Sequence, residues 1–475
     1  MKLTDVTFKR RFCVNYYRNL TLPMGEMSFH KNWIAATDRT DAYPIIEKSE
    51  GTSELLYSDT YTVRGRVRRL IGAYFPWFTY DLCYSHIEGT LGFTVTSPIG
   101  EAQISVSSSG SVDIICPDAH YSERVDLPKS ATLSVSFRGD GVSIYTVCDG
   151  VHKLILDKAD GFFTRLREEK ILTDTKVALL ADAENVCISD VRWYLNAGIS
   201  QADLRPIKYE NGEPLIENGR LFISATARCV EYKYQVILSW CPSTCDFKLE
   251  GALFFDAGDG ILSGDVASSI IRDRINNEWK IVMCSFSHGH VIAMGRSIGD
   301  PRFGISIIDV DLMKPSRGER DRYNFVGFEG DEDPEIILYG GKWYFAICRC
   351  ESDGYHYYHF ISDDFENFKF LARTEGFEKT GGSYILTDEG VYFACGSDFG
   401  KRSVYDLYSI DNLSSPIKNL EFDFADGGFR GWGSIVKIPM GSRYRFIHIT
   451  FDRHLGSHFN WSYGNIHVFE SESFK

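Results

Sequence analysis

The sequence has no apolar run of the roughly 18 residues that a membrane-spanning helix needs. Its first residues, MKLTDVTFKRRF, also lack the apolar segment of a secretory signal. These two absences predict a protein without a membrane partner. They favour a cytoplasmic location if the chain is complete, and a periplasmic or secreted one if a signal peptide was removed.

Positive charge is scarce relative to negative charge. The 475 residues include 51 Lys and Arg against 65 Asp and Glu, which gives a net charge of -14. Proteins that bind nucleic acid or anionic lipid need basic residues to pair with phosphates. The longest basic run, Arg64–Arg69, lies in a predicted strand, where alternate side chains point to opposite faces. The composition therefore argues against a nucleic-acid partner and leaves the oligomeric state open.

Twelve cysteines are present, but none forms a CxxC pair. Several lie inside apolar strands, where a free cysteine behaves as a small hydrophobic residue. We therefore predict a reduced, disulfide-poor protein with no metal site. The GxSxG and GxGxxG motifs are also absent, so neither a serine nucleophile nor a dinucleotide cofactor is supported.

Helical periodicity is almost absent, and short alternating strands dominate. In the first half they are bounded by turn signals such as Gly139-Asp140-Gly141, a pattern typical of an antiparallel β-sandwich. The rhythm of SVSFRGDGVSIYTVCDG resembles the laminin-G and concanavalin-like jelly rolls that accompany many glycosidases. Residues 1–195 are accordingly predicted to form an accessory jelly-roll-like sandwich.

The second half is a repeat of five similar units of about 50–60 residues, close to the length of a propeller blade. Each unit has an apolar segment, a polar turn and an aromatic-rich partner strand; GDEDPEIILYGGKWYFAICR is the clearest example. We therefore predict a five-bladed β-propeller over residues 196–475, in an all-β chain. The predicted inner strands are Glu213–Glu217, Asp265–Ile271, Asp333–Tyr339, Gly381–Leu386 and Gly431–Ile438.

Carboxylates precede the predicted inner strands in four of the five units, at the mouth of the expected central funnel. Hydrolysis of a glycosidic bond needs one protonated and one ionised carboxyl group. Clustering supplies this difference, because neighbouring acids shift each other's pKa values apart. The candidate catalytic residues are Asp203, Asp265, Asp333 and Glu378. The candidate substrate-binding residues are Arg205, Glu213, His288, Arg430, Trp432 and His458.

The pattern over Asp333–Tyr344, followed by SDDFENF, resembles the five-bladed propeller glycoside hydrolases of family 43 and of the invertase and levanase type. The resemblance implies a carbohydrate substrate such as an arabinoside or fructoside. We predict no cofactor, although a structural cation could occupy the propeller channel. It also implies that a first-blade Asp is the base or nucleophile. Asp333 would adjust the pKa values in the site and orient the substrate, and Glu378 would be the acid.

The chain departs from that family pattern in its first blade, where Glu213-Pro214 replaces Asp-Pro. The base therefore stays open between Asp203 and Asp265. Two other kinds of function also stay open: a carbohydrate-binding propeller without catalysis, and a glycan lyase or phosphorylase on the same scaffold.

Overall fold

A computed structural model describes residues 2–23, 46–47, 51–55, 61–313, 327–328, 330–376, 378–397, 405–423, 429–453 and 464–474. The described chain is almost entirely β-structure, as predicted. No helix among these residues is long and apolar enough to cross a membrane. The chain divides into two compact units: Met1–Leu20, Ala197–Asp259 and Ser263–Lys475 form the first, and Thr21–Asn196 with Gly260–Leu262 form the second.

The chain begins with a 3₁₀ turn, Leu3–Asp5, and strand β1, Thr7–Val14. The second unit then contributes twelve strands and two short helices. Its strands are β2 (Thr21–Pro23), β3 (Ile46–Glu47), β4 (Gly51–Leu55), β5 (Tyr61–Ala73), β6 (Phe78–Ser97), β7 (Gly100–Ser107), β8 (Ser111–Cys116), β9 (Ala119–Arg124), β10 (Ala131–Phe137), β11 (Gly141–Cys148), β12 (Val151–Ala159) and β13 (Lys176–Asn196). Its helices are α1 (Gly161–Arg165) and α2 (Glu169–Leu172).

The long strands β6 and β13 pair with each other along most of their length and organise the second unit. Hydrogen bonds join the twelve strands into one branched antiparallel sheet. The two-sheet sandwich therefore stays a prediction. The aromatic cluster Tyr74–Phe78 is buried, with Trp77 only 1% exposed, so it belongs to the core of this unit.

The remaining strands form five four-stranded antiparallel blades. Blade one contains β14 (Ser200–Pro206), β17 (Arg220–Arg228), β18 (Lys233–Trp240) and β19 (Phe247–Asp256), with short β15 (Lys208–Tyr209) and β16 (Ile216–Glu217) between its first two strands. Blade two contains β20 (Val266–Asp273), β21 (Glu278–Ser285), β22 (Val291–Ser297) and β23 (Gly304–Met313). Blade three contains β24 (Asp331–Tyr339), β25 (Lys342–Glu351), β26 (Gly354–Ser362) and β27 (Lys369–Arg373).

Blade four contains β28 (Lys379–Thr387), β29 (Gly390–Ser397), β30 (Tyr405–Ser409) and β31 (Lys418–Phe422). Blade five contains β32 (Phe429–Met440), β33 (Arg443–Asp452) and β34 (Ile466–Glu470), and β1 is its fourth strand. The first strand of each blade lies against the first strand of the next, and β14 lies against β32. The five inner strands therefore form a closed ring, which is the predicted five-bladed propeller.

The N-terminal strand β1 completes the last blade. It pairs antiparallel with β34 and parallel with β31 of blade four. Phe8 is fully buried and stacks on Phe422 with ring centroids 5.2 Å apart. The prediction had placed the first twenty residues in the accessory domain, and the structure places them in the propeller unit instead. The propeller therefore closes by joining the two ends of the chain.

The predicted inner strand of blade one was wrong. The strand in that position is β14, and the predicted segment Glu213–Glu217 contributes only the two-residue strand β16. The sequence SQADLRP of β14 has no apolar alternation, because all of its residues are buried between neighbouring strands.

The centre of the ring is occupied by a buried cluster of charges. Nζ of Lys208 lies 2.6 Å from Oε1 of Glu335, 3.1 Å from the Ser383 hydroxyl and 2.8 Å from the Tyr384 carbonyl oxygen. Arg205 lies 3.5 Å from the second Glu335 oxygen. Two basic side chains of blade one thus compensate the charge of Glu335 of blade three at the axis, and blade four accepts hydrogen bonds from Lys208. The predicted structural cation in this channel stays a prediction.

Loss of the Lys208 ammonium should destabilise the propeller strongly, because Glu335 would keep its buried charge with one partner fewer. We expect Lys208→Met to lower the free energy of unfolding by about 3–5 kcal/mol. Lys342→Met is the matched control: its side chain is 52% exposed, and its ion pair with Asp363 at 3.5 Å should contribute less than about 1 kcal/mol. Urea denaturation would measure both, and equal effects would contradict the expectation.

Candidate active site

Each of the first four inner strands carries a β-bulge near its start, at the same register position. A bulge inserts one extra residue, bends the strand and re-aims a side chain. The bulged residues have positive φ; they are Asp203 (52°), Ala267 (53°), Asp333 (49°) and Gly381 (59°). Asp203 and Asp333 therefore hold equivalent positions on blades one and three. Both lie at the end of the ring where the inner strands begin, which we call the entry end.

Asp203 lies beside two basic side chains. Its side chain is 11% exposed, and its Oδ2 accepts a hydrogen bond of 3.2 Å from Nη2 of Arg228. Arg228 ends β17 and is the cross-strand partner of Lys233, the first residue of β18. Burial lowers the pKa of Lys233 and Arg228 lowers it further, while the charges of Asp265 and Asp203 oppose this.

Asp333 lies in a more acidic setting. Its Oδ2 accepts a hydrogen bond of 2.9 Å from the Gly381 amide, and its Oδ1 is 3.6 Å from Nη2 of Arg205. Burial raises the pKa of Asp333 to about 7, with the charges of Glu332 and Asp203 adding to the effect and Arg205 opposing it. The Asp333 carboxyl therefore holds its proton up to near-neutral pH.

This raised pKa predicts a pH-dependent stability. The native state binds the Asp333 proton more tightly than the unfolded chain, whose Asp pKa is near 3.8. The stability that the proton confers is present below pH 3.8 and is lost as the pH rises through about 7. Asp333→Asn cannot lose this stability, because the asparagine side chain does not ionise. We expect the variant to exceed the wild type in stability at pH 8 by on the order of 2 kcal/mol, with no such excess at pH 4.

Urea denaturation at several pH values would measure this difference. Asp363→Asn is the control, because Asp363 is 78% exposed on the same blade and should leave the pH profile unchanged. A constant difference between Asp333→Asn and the wild type from pH 4 to 8 would contradict the raised pKa of Asp333.

The three consecutive acids of blade three have different partners. Asp331 is fully buried and receives two hydrogen bonds from the Arg349 guanidinium, at 2.7 and 3.0 Å. Glu332 lies 3.2 Å from Nε2 of His290, which belongs to blade two. The Asp331 carboxylate thus holds β24 to β25, so of the three acids only Glu332 and Asp333 remain available for a substrate.

Asp265 takes part in a hydrogen-bond network of blade two. Its Oδ2 accepts from the hydroxyls of Ser285 at 3.1 Å and Ser287 at 2.5 Å. Both hydroxyls lie within 3.0 Å of Nδ1 of His288, whose Nε2 is 3.1 Å from Asp259. By register, Asp265 is equivalent to Asp331 and not to Asp333. His288 and Asp265 therefore lie at the entry end and are linked through these two hydroxyls.

Glu378 directly precedes β28, the inner strand of blade four, with a φ of 62°. It is half-buried and lies three residues before Gly381, whose amide binds Asp333. The structure thus brings Asp203, Asp265, Asp333 and Glu378 to the same end of the ring.

Other predicted site residues lie elsewhere or outside the description. Glu213 is 53% exposed and lies 3.6 Å from Arg274, which follows the far end of β20, so it is not at the entry end. Arg205 is buried beneath Asp333 and contacts the Pro334 carbonyl oxygen. The side chains of Arg430 and Trp432, and all of His458, fall outside the described residues.

Sequence reasoning missed the basic residues that face these acids, namely Arg228 and Lys233, as well as the axial Lys208. Each lies in or beside a strand, and the alternation of apolar and polar residues along a strand shows only which face is buried. Nothing in the local pattern shows the opposing carboxylate, because the partners come from different strands or blades.

Comparison with known proteins gives structural likeness only. No protein-family model and no curated protein matches the sequence. Among solved structures, Bacillus subtilis levansucrase is similar at 11% identity over 57% of this chain and 86% of the other, with a TM-score of 0.40. A family 117 glycoside hydrolase from Zobellia galactanivorans is similar at 14% identity over 57% of this chain and 84% of the other, with a TM-score of 0.39. A thermostable family-43 glycoside hydrolase is similar at 13% identity over 58% of this chain and 92% of the other, with a TM-score of 0.38.

These structural neighbours are glycoside hydrolases. Their identities and TM-scores are low, so the propeller assignment rests on the strand pairing described above, and the roles of individual residues rest on the geometry of the entry end.

Proposed function

We propose that this protein is a glycoside hydrolase whose active site is the entry end of the propeller. The observation that supports this most is the pair of aspartates on equivalent bulges, Asp203 and Asp333, held in different electrostatic environments. Asp203 faces the Arg228 guanidinium. Asp333 is half-buried beside the acids Glu332 and Asp203, and desolvation raises its pKa to about 7. The two settings suit two different tasks in glycoside cleavage, a base or nucleophile at Asp203 and a hydrogen-bond donor to the substrate at Asp333, while a third carboxyl group, Glu378, would supply the acid.

In this proposal Asp203 is the base or nucleophile. Its carboxylate either attacks the anomeric carbon or removes a proton from the attacking water, while the bond to the leaving oxygen breaks. Asp203 is preferred over Asp265 because Asp203 lies in the bulge of its inner strand, as Asp333 does, whereas Asp265 precedes the bulge of β20. The protonated Asp333 would donate a hydrogen bond to a sugar hydroxyl and so position the ring.

Glu378 is assigned as the acid that protonates the leaving oxygen. An acid matters most when the leaving group is a poor one, and little when it departs easily as a phenolate. Glu378→Gln should therefore lose far more activity on an alkyl glycoside or disaccharide than on a nitrophenyl glycoside. Asp203→Asn should lose activity on both. A Glu378→Gln variant with equal losses on the two substrates would refute its role as the acid.

The substrate class is proposed to be a furanoside, from the resemblance of the Asp333–Tyr344 segment to arabinan- and fructan-cleaving families. The test is a panel of nitrophenyl arabinofuranosides, fructosides and matching pyranosides, with the natural oligosaccharides beside them. We expect turnover of at least one furanoside that Asp203→Asn abolishes. The proposal fails if no glycoside in the panel is cleaved, or if neither Asp203→Asn nor Asp333→Asn changes the rate.

A carbohydrate-binding propeller without catalysis is the second candidate, and one contact favours it. The ion pair between Asp203 and Arg228 at 3.2 Å occupies one carboxylate oxygen that a base would need. Under this alternative the protein binds an oligosaccharide but cleaves none. Calorimetry with the same panel distinguishes the two, because binding without product formation supports the second candidate.

A further inference from the structure

Three potential metal ligands project from the same face of blade five. Cys13 on β1 and His467 on β34 are direct cross-strand partners, and His467 is also opposite Thr450 on β33. Directly opposite residues share a face, as do residues two apart on one strand. Asp452, two residues beyond Thr450, is therefore on the same face as the other two side chains.

The donor atoms of these three residues converge. All lie within 4.8 Å of one another. The Cys13 sulfur is 3.9 Å from Nε2 of His467, and Oδ2 of Asp452 is 2.7 Å from the same nitrogen. A nucleophilic Cys-His-Asp triad needs the thiol and the carboxylate on opposite ring nitrogens. Because both face Nε2 here, the arrangement does not fit a proton relay.

We propose that Cys13, His467 and Asp452 form a binding site for a transition-metal ion of the Zn²⁺ type. One thiolate, one imidazole and one carboxylate are ligands that suit Zn²⁺, whereas Ca²⁺ and Mg²⁺ prefer oxygen ligands alone. Tetrahedral bonds of about 2.3 Å to sulfur and 2.0 Å to nitrogen place those atoms roughly 3.5 Å apart. The observed 3.9 Å needs little adjustment. The ion would replace the hydrogen bond between His467 and Asp452 and move those atoms apart by about half an ångström.

Surrounding residues hold the carboxylate in place. The backbone amide of Asn465 donates to Oδ1 of Asp452 at 3.0 Å, and its side-chain amide donates to Oδ2 at 2.9 Å. A Cβ at Gly464 would meet Oδ1 of Asp452 at 2.1 Å, so only glycine permits this approach. Asp452 and His467 are both 2% exposed, whereas Cys13 is exposed. Positioned ligands with one solvent-accessible member are what a metal site requires.

The consequence of metal binding would be structural. β1 and β34 come from opposite ends of the chain, and their pairing closes the propeller. An ion held by β1, β33 and β34 would fasten the N-terminal strand to the last blade. Because the ion binds the closed state, it should raise the unfolding temperature in proportion to its affinity.

The test is titration of chelator-treated full-length protein with Zn²⁺ and, separately, with Co²⁺, whose thiolate complexes absorb strongly in the near ultraviolet. We expect one ion per chain, a thiolate-to-Co²⁺ absorption band and a higher unfolding temperature that excess chelator reverses. Cys13→Ser should abolish the band and weaken Zn²⁺ binding at least about tenfold. Because Cys13 is exposed, this variant should keep the fold.

Cys350→Ser is the matched control, since Cys350 is an exposed cysteine of blade three. It should leave the band, the stoichiometry and the affinity unchanged. The proposal is overturned if the wild type shows no thiolate band with Co²⁺. It is equally overturned if Cys13→Ser binds Zn²⁺ as tightly as the wild type. Both outcomes are independent of whether the protein cleaves a glycoside.

Discussion

Asp203→Asn should lower kcat/KM on a cleaved glycoside by about 10³-fold or more, the loss expected when a positioned base or nucleophile is removed. The amide cannot attack or accept a proton, but it nearly matches the carboxylate in shape. The fold should persist, because Arg228 is at the mouth of the ring and not in its centre. Initial rates, with circular dichroism as a check of folding, would measure this.

Two further Asp→Asn substitutions make this result specific. Asp265→Asn tests the other candidate base; because Ser285 and Ser287 bind its carboxylate, we expect a loss of less than about tenfold. Asp363→Asn, on an exposed turn of blade three, should have no effect. A loss at Asp265 that equals the loss at Asp203 would show that blade two supplies the base.

Removal of residues 2–14 should prevent the propeller from folding. This segment supplies the fourth strand of blade five and buries Leu3, Val6 and Phe8 in a core shared with blades four and five. Without it, the backbone groups of β34 and β31 that pair with β1 would lose their partners. We expect the truncated protein to be recovered mainly in aggregates, and any soluble fraction to lack a cooperative unfolding transition.

Phe8→Ala gives a graded version of the same experiment. Phe8 is fully buried, so its truncation should cost about 3–5 kcal/mol. Phe370→Ala is the control, because Phe370 is 60% exposed and should cost less than about 1 kcal/mol. If Phe8→Ala proves as stable as the wild type, β1 is not needed for closure.

Some features were predictable because the signals are local. Alternating strands and polar turns indicated an all-β chain, and the repeated hairpins indicated five blades. Blade three was read correctly as a strand pair, since Asp331–Tyr339 and Lys342–Glu351 flank a Gly-Gly turn. Blade one was misread because β14 is buried on both sides and shows no alternation.

The all-β class, the blade number and the grouping of acids near the inner strands could be predicted from the sequence, because each depends on residues close together in the chain. The equivalence of particular acids became visible only from the packed strands. Asp203 and Asp333 occupy equivalent positions in the bulges of β14 and β24. Asp331 differs from them because its carboxylate is hydrogen-bonded to Arg349. The packed strands also show that β1 closes the ring. Strand register and contacts between blades depend on long-range packing, and a periodicity of two residues carries no information about which distant strand becomes the neighbour.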